Sequence, residues 1–457
     1  MPAQTVHCIT DIAHEFSFYF DGRFGSQYVE SAGGADSRNW ATVSKIDLSN
    51  ANLFVAQQGA TPSPWTRADV TALSRYVKAG GGLLIIGSWA LFRDEKDYKL
   101  NALAQEFGAT ILPNGTGDKA VGVSTFKAGE VSYYPSNLIS LTTPSDWTVL
   151  VKDQNDGTLM ASREFGKGRV VVASRGLFGR NPDFSDPINK DWIPSVLKWA
   201  AAHKDVSALP APVATPPEIT YNDSGLLVQY NDYTAGSAKA IADWFFKCYR
   251  EVGQVTGVVP SDGMLLNLQL LATDGGGFSN GRTIGIGAYW GGFPKDKYGM
   301  VELIGHEMTH SWVHPFPEPM WNEGLATYIG IQIAKRLGFK DQADASLASY
   351  LRNSQANDGT GKTDLNGESN HPVRMGKPMY VFEELKKKFG KDVVARYFRM
   401  KRLLITPERG RYTADDAVAV LSRAVGMDLF PRFKEIGTSV DWSKTDVQAT
   451  GLRVWRP

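Results

Sequence analysis

Apolar and polar positions follow different patterns on the two sides of about residue 205. Before it, short apolar runs at Thr5 to Ile9, Asn52 to Gln57, Leu83 to Ile86 and Arg169 to Ala173 read as buried strands. Between the second and third, Arg67 to Ala79 has helical spacing, with Thr66 as N-cap, Asp69 three residues on and Gly80 just past the end. That strand, helix, strand order predicts an α/β layer for residues 1–205. Lys204 to Tyr221 then gathers Pro210, Pro212, Pro216 and Pro217 among alanines and valines, the composition of a semi-rigid linker placed at 206–221.

Past the linker, Leu226 to Tyr230 and Met264 to Ala272 read as strands on either side of an amphipathic helix from Gly236 to Val252. Thr283 to Trp290 (TIGIGAYW) reads as one more short strand. From Val301 the period becomes helical, with further helices at Trp321 to Leu337, Ala343 to Arg352, Lys377 to Lys388, Asp392 to Leu403 and Ala414 to Val425, and a last one near Leu429 to Gly437. The expectation is a multidomain chain whose second unit, 222–457, is α+β with a helical C-terminal half. Each unit is long enough to bury its own core.

The chemistry sits where the helical period begins. His306-Glu307-Met308-Thr309-His310 has the HExxH spacing. Residues four apart on a helix lie about one turn apart, so both imidazoles can reach one ion from the same face. Glu307 is rotated by roughly 100° from His306, which sets it beside the ion and within reach of an attacking water. A catalytic zinc needs a third protein ligand and one open position. Glu323, in Trp321-Asn322-Glu323-Gly324 at the start of the next helix, fits that role, with Gly324 and Ala326 small enough to let this helix pack close to the first. His314 is the competitor, but along a straight helix it would stand about 12 Å from His306, and Pro315 argues for a helix end. Thr327, one turn after Glu323, could support a ligand by hydrogen bonding.

His306 to Trp312 together with Trp321-Asn322-Glu323-Gly324-Leu325-Ala326-Thr327-Tyr328 resembles the gluzincin metallopeptidases, over roughly Gly225 to Val440. The short gap between His310 and Glu323 is more similar to the enhancin-like, mucin-cleaving peptidases (M60-like) than to the aminopeptidase N-like enzymes. The resemblance implies a gluzincin α+β fold, a Zn2+ cofactor, metal ligands His306, His310 and Glu323, and Glu307 as general base. It implies a protein or glycoprotein substrate, mucin-like O-glycoproteins included. It also places the Thr283 to Trp290 strand at the cleft rim, with Gly285, Gly287, Ala288 and Tyr289 pairing with the substrate backbone. No glutamate stands in that strand to hold a free amino group, which favours an endopeptidase over an aminopeptidase. Tyr380, in Pro378-Met379-Tyr380, is the expected oxyanion donor, with His371 as the alternative.

Tyr76 to Gly87, with Gly80-Gly81-Gly82 before Leu83-Leu84-Ile85-Ile86, resembles the class I glutamine amidotransferase-like fold, a flavodoxin-like α/β arrangement. That family needs a cysteine at the turn after a central strand. Here the turn is Gly87-Ser88-Trp89, so a non-catalytic module is expected. This pairing of units is also similar to channel-associated proteins without peptidase activity, which leaves a binding or scaffold protein with a vestigial site as a third reading.

Composition narrows the classes. With 49 basic and 48 acidic residues and a net charge of +1, the chain has no nucleic-acid footprint. No apolar run reaches the roughly 18 residues of a membrane span. Cys8 and Cys248 could pair only if the two units brought them together. No leader-like run precedes the strand expected at Thr5, which fits a cytoplasmic protein or a trimmed mature form; the resemblance favours a secreted or periplasmic one. A monomer is expected.

Overall fold

The structure is a computed structural model, and it describes residues 8–10, 28–30, 43–57, 65–87, 100–112, 119–134, 140–142, 144–179, 188–201, 217–221, 225–232, 234–260, 266–271, 276–288, 296–367, 370–447 and 451–455. The first half opens with the parallel strands β1 (Cys8–Thr10), β2 (Tyr28–Glu30), β3 (Leu53–Gln57) and β4 (Gly82–Gly87); β1, β3 and β4 come from apolar runs of the sequence, and β2 was not foreseen. Six strands that the sequence reading missed follow: β5 (Thr110–Leu112), β6 (Ala120–Val123), β7 (Ala128–Val131), β8 (Ser140–Thr142), β9 (Thr148–Asp153) and β10 (Thr158–Phe165). With β11 (Gly168–Ser174) they make one sheet in the order β2-β1-β3-β4-β11-β10-β9-β6-β7, with β5 and β8 joined beside β10. The sheet is parallel from β2 to β11 and antiparallel from there on.

Apolar side chains cover both faces of this sheet. Helix α1 (Arg67–Lys78), closed by the Thr66/Asp69 capping box, covers one, and α3 (Ile193–Ala201) covers the other; a short turn of helix, α2 (Asn101–Ala104), lies between them in the chain. β4 is buried at every position, as a strand sandwiched by helices must be.

A separate apolar core gathers residues from Leu226 to Trp455. Its sheet runs β12 (Glu218–Thr220), β13 (Leu226–Gln229), β14 (Leu266–Leu271), β16 (Thr283–Gly287) and β15 (Gly277–Ser279) in spatial order. β12 lies within the stretch read as linker; it pairs antiparallel with β13, so ordered sheet begins four residues before 222. Residues 202–216, which hold Pro210, Pro212 and Pro216, lie outside the described residues. Helix α4 (Ala235–Thr256) crosses over between the parallel strands β13 and β14. The helices that follow are α5 (Lys297–Trp312), α6 (Asn322–Arg336), α7 (Lys340–Asn357), α8 (His371–Phe389), α9 (Val393–Leu404), α10 (Ala414–Val425) and α11 (Phe430–Glu435). Cys8 and Cys248 are both free thiols, each fully buried in the core of a different half. No helix among the described residues is long and apolar enough to cross a membrane.

Candidate metal centre

Helices α5 and α6 meet at two glycines. A Cβ on Gly330 would lie 2.5 Å from the Glu302 carbonyl oxygen and 3.1 Å from the His306 nitrogen, so at that point the backbones touch. This close approach sets the start of α6 against the middle of α5. Gly324, expected to serve the same purpose, faces the other way: its Cβ would lie 2.8 Å from the carbonyls of Arg374 and Met375, and it admits α8 instead.

Around the crossing the donor atoms converge. His306 Nε2 lies 3.2 Å from His310 Nε2 and 3.3 Å from Glu323 Oε2, and His310 Nε2 lies 3.8 Å from Glu323 Oε1. Nitrogen and oxygen ligands at about 2.0–2.1 Å around a tetrahedral ion stand roughly 3.3–3.4 Å apart. The spacing and the donor set therefore fit a zinc-sized cation, with His306, His310 and Glu323 as its ligands. The Glu307 carboxylate is within 4.8 Å of both imidazoles. His306 Nδ1 is 2.9 Å from the Thr327 hydroxyl, which fixes the ring and leaves Nε2 inward. Asn322 Nδ2 approaches His310 Nδ1 at 3.3 Å and donates to Glu323 Oε1 at 2.8 Å.

Burial and neighbours shift these groups in a consistent sense. Glu307 is 6 % exposed, and burial, with a smaller push from Glu323 and against the pull of His306, carries its carboxyl up to about 7. Burial and the neighbouring His306 lower His310 to about 4, which keeps it neutral and able to donate a lone pair. Hydrogen bonding to His306, against some desolvation, holds Glu323 down at about 2.

The loop from α5 to α6 is tied from beneath by a buried lysine that the sequence reading missed. Lys401, fully buried on α9, donates to the Val313 carbonyl at 2.6 Å, the Phe316 carbonyl at 2.8 Å and Glu318 Oε1 at 2.6 Å. Glu318 also accepts from the Trp321 indole at 2.8 Å, and its backbone N–H donates to Asn322 Oδ1 at 3.3 Å. One charge pair thus fixes both the exit of α5 and the residues that present Glu323.

The donors line a cleft of about 450 Å³ whose other wall is β15 and the turn Asn280–Gly281, with Val313 to Pro317 at its rim. Here the expected substrate strand is corrected. β16 is an inner strand, between β14 and β15, because a hairpin at Asn280 to Arg282 adds β15 outside it. Gly285 is covered by the Phe278 ring, Gly287 donates to the Gly276 carbonyl and Ala288 is buried, so none of the three borders the cleft. Tyr289 lies outside the described residues. The strand beside the metal centre is β15, where a Cβ on Gly277 would come within 2.9 Å of Glu307 Oε1.

Tyr380 is also corrected. It sits on the outer face of α8, 38 % exposed, and its hydroxyl accepts from Arg432 at 3.3 Å. Pro378, two residues earlier and so nearly opposite, is the residue that faces Gly324 and α6. His371 is exposed at the first turn of α8 and does not border the cleft either. His314 does border it, but its Nε2 lies against Gly281, away from the three ligands.

No protein-family model and no curated protein matches this chain. Among solved structures, the chain is similar at 14% identity and a TM-score of 0.36 to a functionally unknown conserved protein from Bacillus anthracis, over 76% of this chain and 71% of that one. A cytoplasmic protein from Salmonella typhimurium aligns over 43% of this chain and 98% of its own, at 16% identity and a TM-score of 0.29. A β-galactosidase from Bacillus circulans aligns over 48% and 34%, at 13% identity and a TM-score of 0.30. At these scores none bears on the function.

Proposed function

We propose that this chain is a zinc-dependent endopeptidase. The observation that carries the reading is the convergence of His306, His310 and Glu323 at tetrahedral spacing, with the buried Glu307 beside them, on the wall of a cleft that ends in a free strand edge. A bound zinc ion would supply Lewis acidity toward a substrate carbonyl and a water. Glu307, buried beside the three donors, would take a proton from the attacking water and return it to the leaving amine. Among the described residues β15 has a partner on one side only. By alternation along the strand, the backbone groups of Gly277 and Ser279 turn outward, where an extended peptide can pair with them. Neither Gly277, Phe278 nor Ser279 carries a charge that would hold a terminal ammonium, so support remains for internal cleavage. Tyr380 is turned away from the cleft, and a bound zinc ion would supply stabilisation of the oxyanion.

The test is digestion of an O-glycosylated mucin-type protein, its deglycosylated form and casein by zinc-loaded enzyme and by its Glu307→Ala variant, with fragments mapped by mass spectrometry. Internal cuts that vanish in the variant are expected, and the deglycosylated arm reads whether a glycan is recognised. Trimming from the N-terminus alone would replace the proposal by an aminopeptidase. No cleavage of any of the three would remove it in favour of a vestigial site.

A further inference from the structure

The larger concavity of this half, a groove of about 1410 Å³, lies apart from the donors, among the C-terminal ends of α4 and α6, the start of α9 and the end of α5. It adjoins the metal cleft through one peptide bond: Trp312 lines the groove, and Val313 lines the cleft. Seven lysines and arginines border it against a single carboxylate, Asp392, in a chain whose net charge is only +1. Three of the seven are neutralised by acids: Lys335 by Asp344 at 2.5 Å, Arg336 by Glu251 at 2.5 Å and Lys386 by Glu383 at 2.9 Å. Arg402 donates to the Trp312 carbonyl at 3.0 Å. Arg250, Lys391 and Arg399 are exposed and form no ion pair among the described residues; Asp392 itself faces Arg396 at 3.4 Å. Three uncompensated cations around one concavity create a local positive potential that the overall charge hides.

The remaining wall is aliphatic. Val255 and Val258 are half-buried, and Val259 is 67 % exposed. Of the three rings that line it, Trp312 and Tyr328 are each 1 % exposed, with the indole N–H held by the Val258 carbonyl at 3.0 Å, and Tyr249 is half-buried with its ring edge-on to Trp312 at 5.5 Å. Cations beside an open aliphatic ledge, with two of the three lining rings sealed and the third packed edge-on, suit a ligand that carries carboxylates and aliphatic side chains together. We infer that this groove binds an acidic, aliphatic polypeptide segment, with Arg250, Lys391 and Arg399 facing its carboxylates and Val259 its apolar side chains. The inference does not depend on the peptidase reading, because binding here requires neither the metal nor turnover.

Fluorescence anisotropy would test it on the full chain, with a labelled peptide of about twelve residues alternating Asp or Glu with Leu or Val. The same peptide in Asn/Gln form and a sulfated polysaccharide serve as comparisons. Saturable binding of the acidic peptide is expected, weakening with salt as surface charge pairs do. It should fall about tenfold in R250E/R399E and by a smaller factor in K391E, with circular dichroism unchanged in both. Glu307→Ala and chelator-treated protein should bind as the wild type does, which separates this site from the catalytic one. Equal binding of the amide peptide, no loss in K391E and the double variant, or binding of the polysaccharide alone would each overturn the assignment.

Discussion

Gly330→Ala probes the helix crossing on which the candidate metal centre rests. The new Cβ would begin 2.5 Å from the Glu302 carbonyl oxygen, whereas ordinary contact starts near 3.4 Å, so the backbones must part by about 0.9 Å. Thr327 and Glu323 lie one and two turns up the same helix from Gly330, and both reach His306. A shift of that size would take Thr327 out of hydrogen-bond range of His306 Nδ1, now 2.9 Å away, and Glu323 well beyond the tetrahedral spacing from Nε2. Two opposed effects act on stability. Alanine gains roughly 0.5–1 kcal/mol over glycine inside a helix, and overpacking costs about 1–3 kcal/mol, so the net should be a loss of about 1 kcal/mol. Losing ligand support typically costs 10- to 100-fold in metal affinity. The assay is zinc competition against a chromophoric chelator, with urea unfolding alongside. Gly236→Ala is the control, since a Cβ there meets nothing within 4 Å, and it should leave zinc affinity unchanged. A Gly330→Ala variant as stable as wild type that binds zinc as tightly would refute the crossing as the device that places Glu323.

The other expectations are shorter. Lys401→Met leaves Glu318 buried without its cation and should cost about 3–5 kcal/mol in urea unfolding; a change below 1 kcal/mol would mean the pair is dispensable. In the metal-free protein, His310, lowered to about 4, contributes stability that is lost as pH falls below 6.5, whereas Glu307, raised to about 7, contributes stability that is lost as pH rises above 4.5. The two oppose each other between pH 4.5 and 6.5, so Glu307→Gln should expose the loss: its urea midpoint should drop from pH 7 to pH 5 by more than the wild type's, and parallel curves would contradict the shifts. Calcium at millimolar concentration should leave the melting temperature unmoved. Lys377 Nζ already sits among the oxygens of Asp358, Thr363, Gly361 and Ile436 at 2.8, 2.8, 3.2 and 2.7 Å, where a cation in the polar loop after α7 would go; a rise in melting temperature would show a second place for the ion.

Where local signals were strong, the sequence was enough to place elements. The Thr66/Asp69 capping box marks the start of α1 to the residue, and the 3.6-residue period over Ala414 to Val425 gives α10 its observed bounds. His306, His310 and Glu323 were legible because two helices carry them at fixed angular spacing, and Thr327 because it follows Glu323 by one turn. What escaped depends on partners distant in sequence. β5 to β10 form the antiparallel half of the sheet, where four of the six are only three or four residues long and pair with partners set by topology. β15 is three residues of glycine, phenylalanine and serine, with no periodicity to announce it; only its hairpin with β16 defines it, and that hairpin moved the substrate edge away from Gly285 and Gly287. Tyr380 was expected from its resemblance to a tyrosine on a helix after the third ligand, beside a proline, but helix rotation decides where it points, and rotation is set by Pro378 against Gly324.

Lys401 shows why such residues are hard to foresee and what they accomplish. A lysine in the period of α9 reads as a solvated position, and its burial lowers its affinity for protons against the attraction of Glu318. An apolar pair of similar volume would often be as stable. But an apolar pair could not hold two carbonyls and a carboxylate at fixed positions in the short loop that joins the histidine helix to the glutamate helix. Three donors from one ammonium define where α5 ends, and at the start of α6 the Glu318 carboxylate holds the Trp321 indole while the Glu318 backbone N–H holds the Asn322 side chain. Replacing both charges, as in Lys401→Met with Glu318→Leu, should therefore recover much of the stability lost by Lys401→Met while zinc affinity stays low. Recovery of both together would mean that the pair contributes burial energy and no geometry.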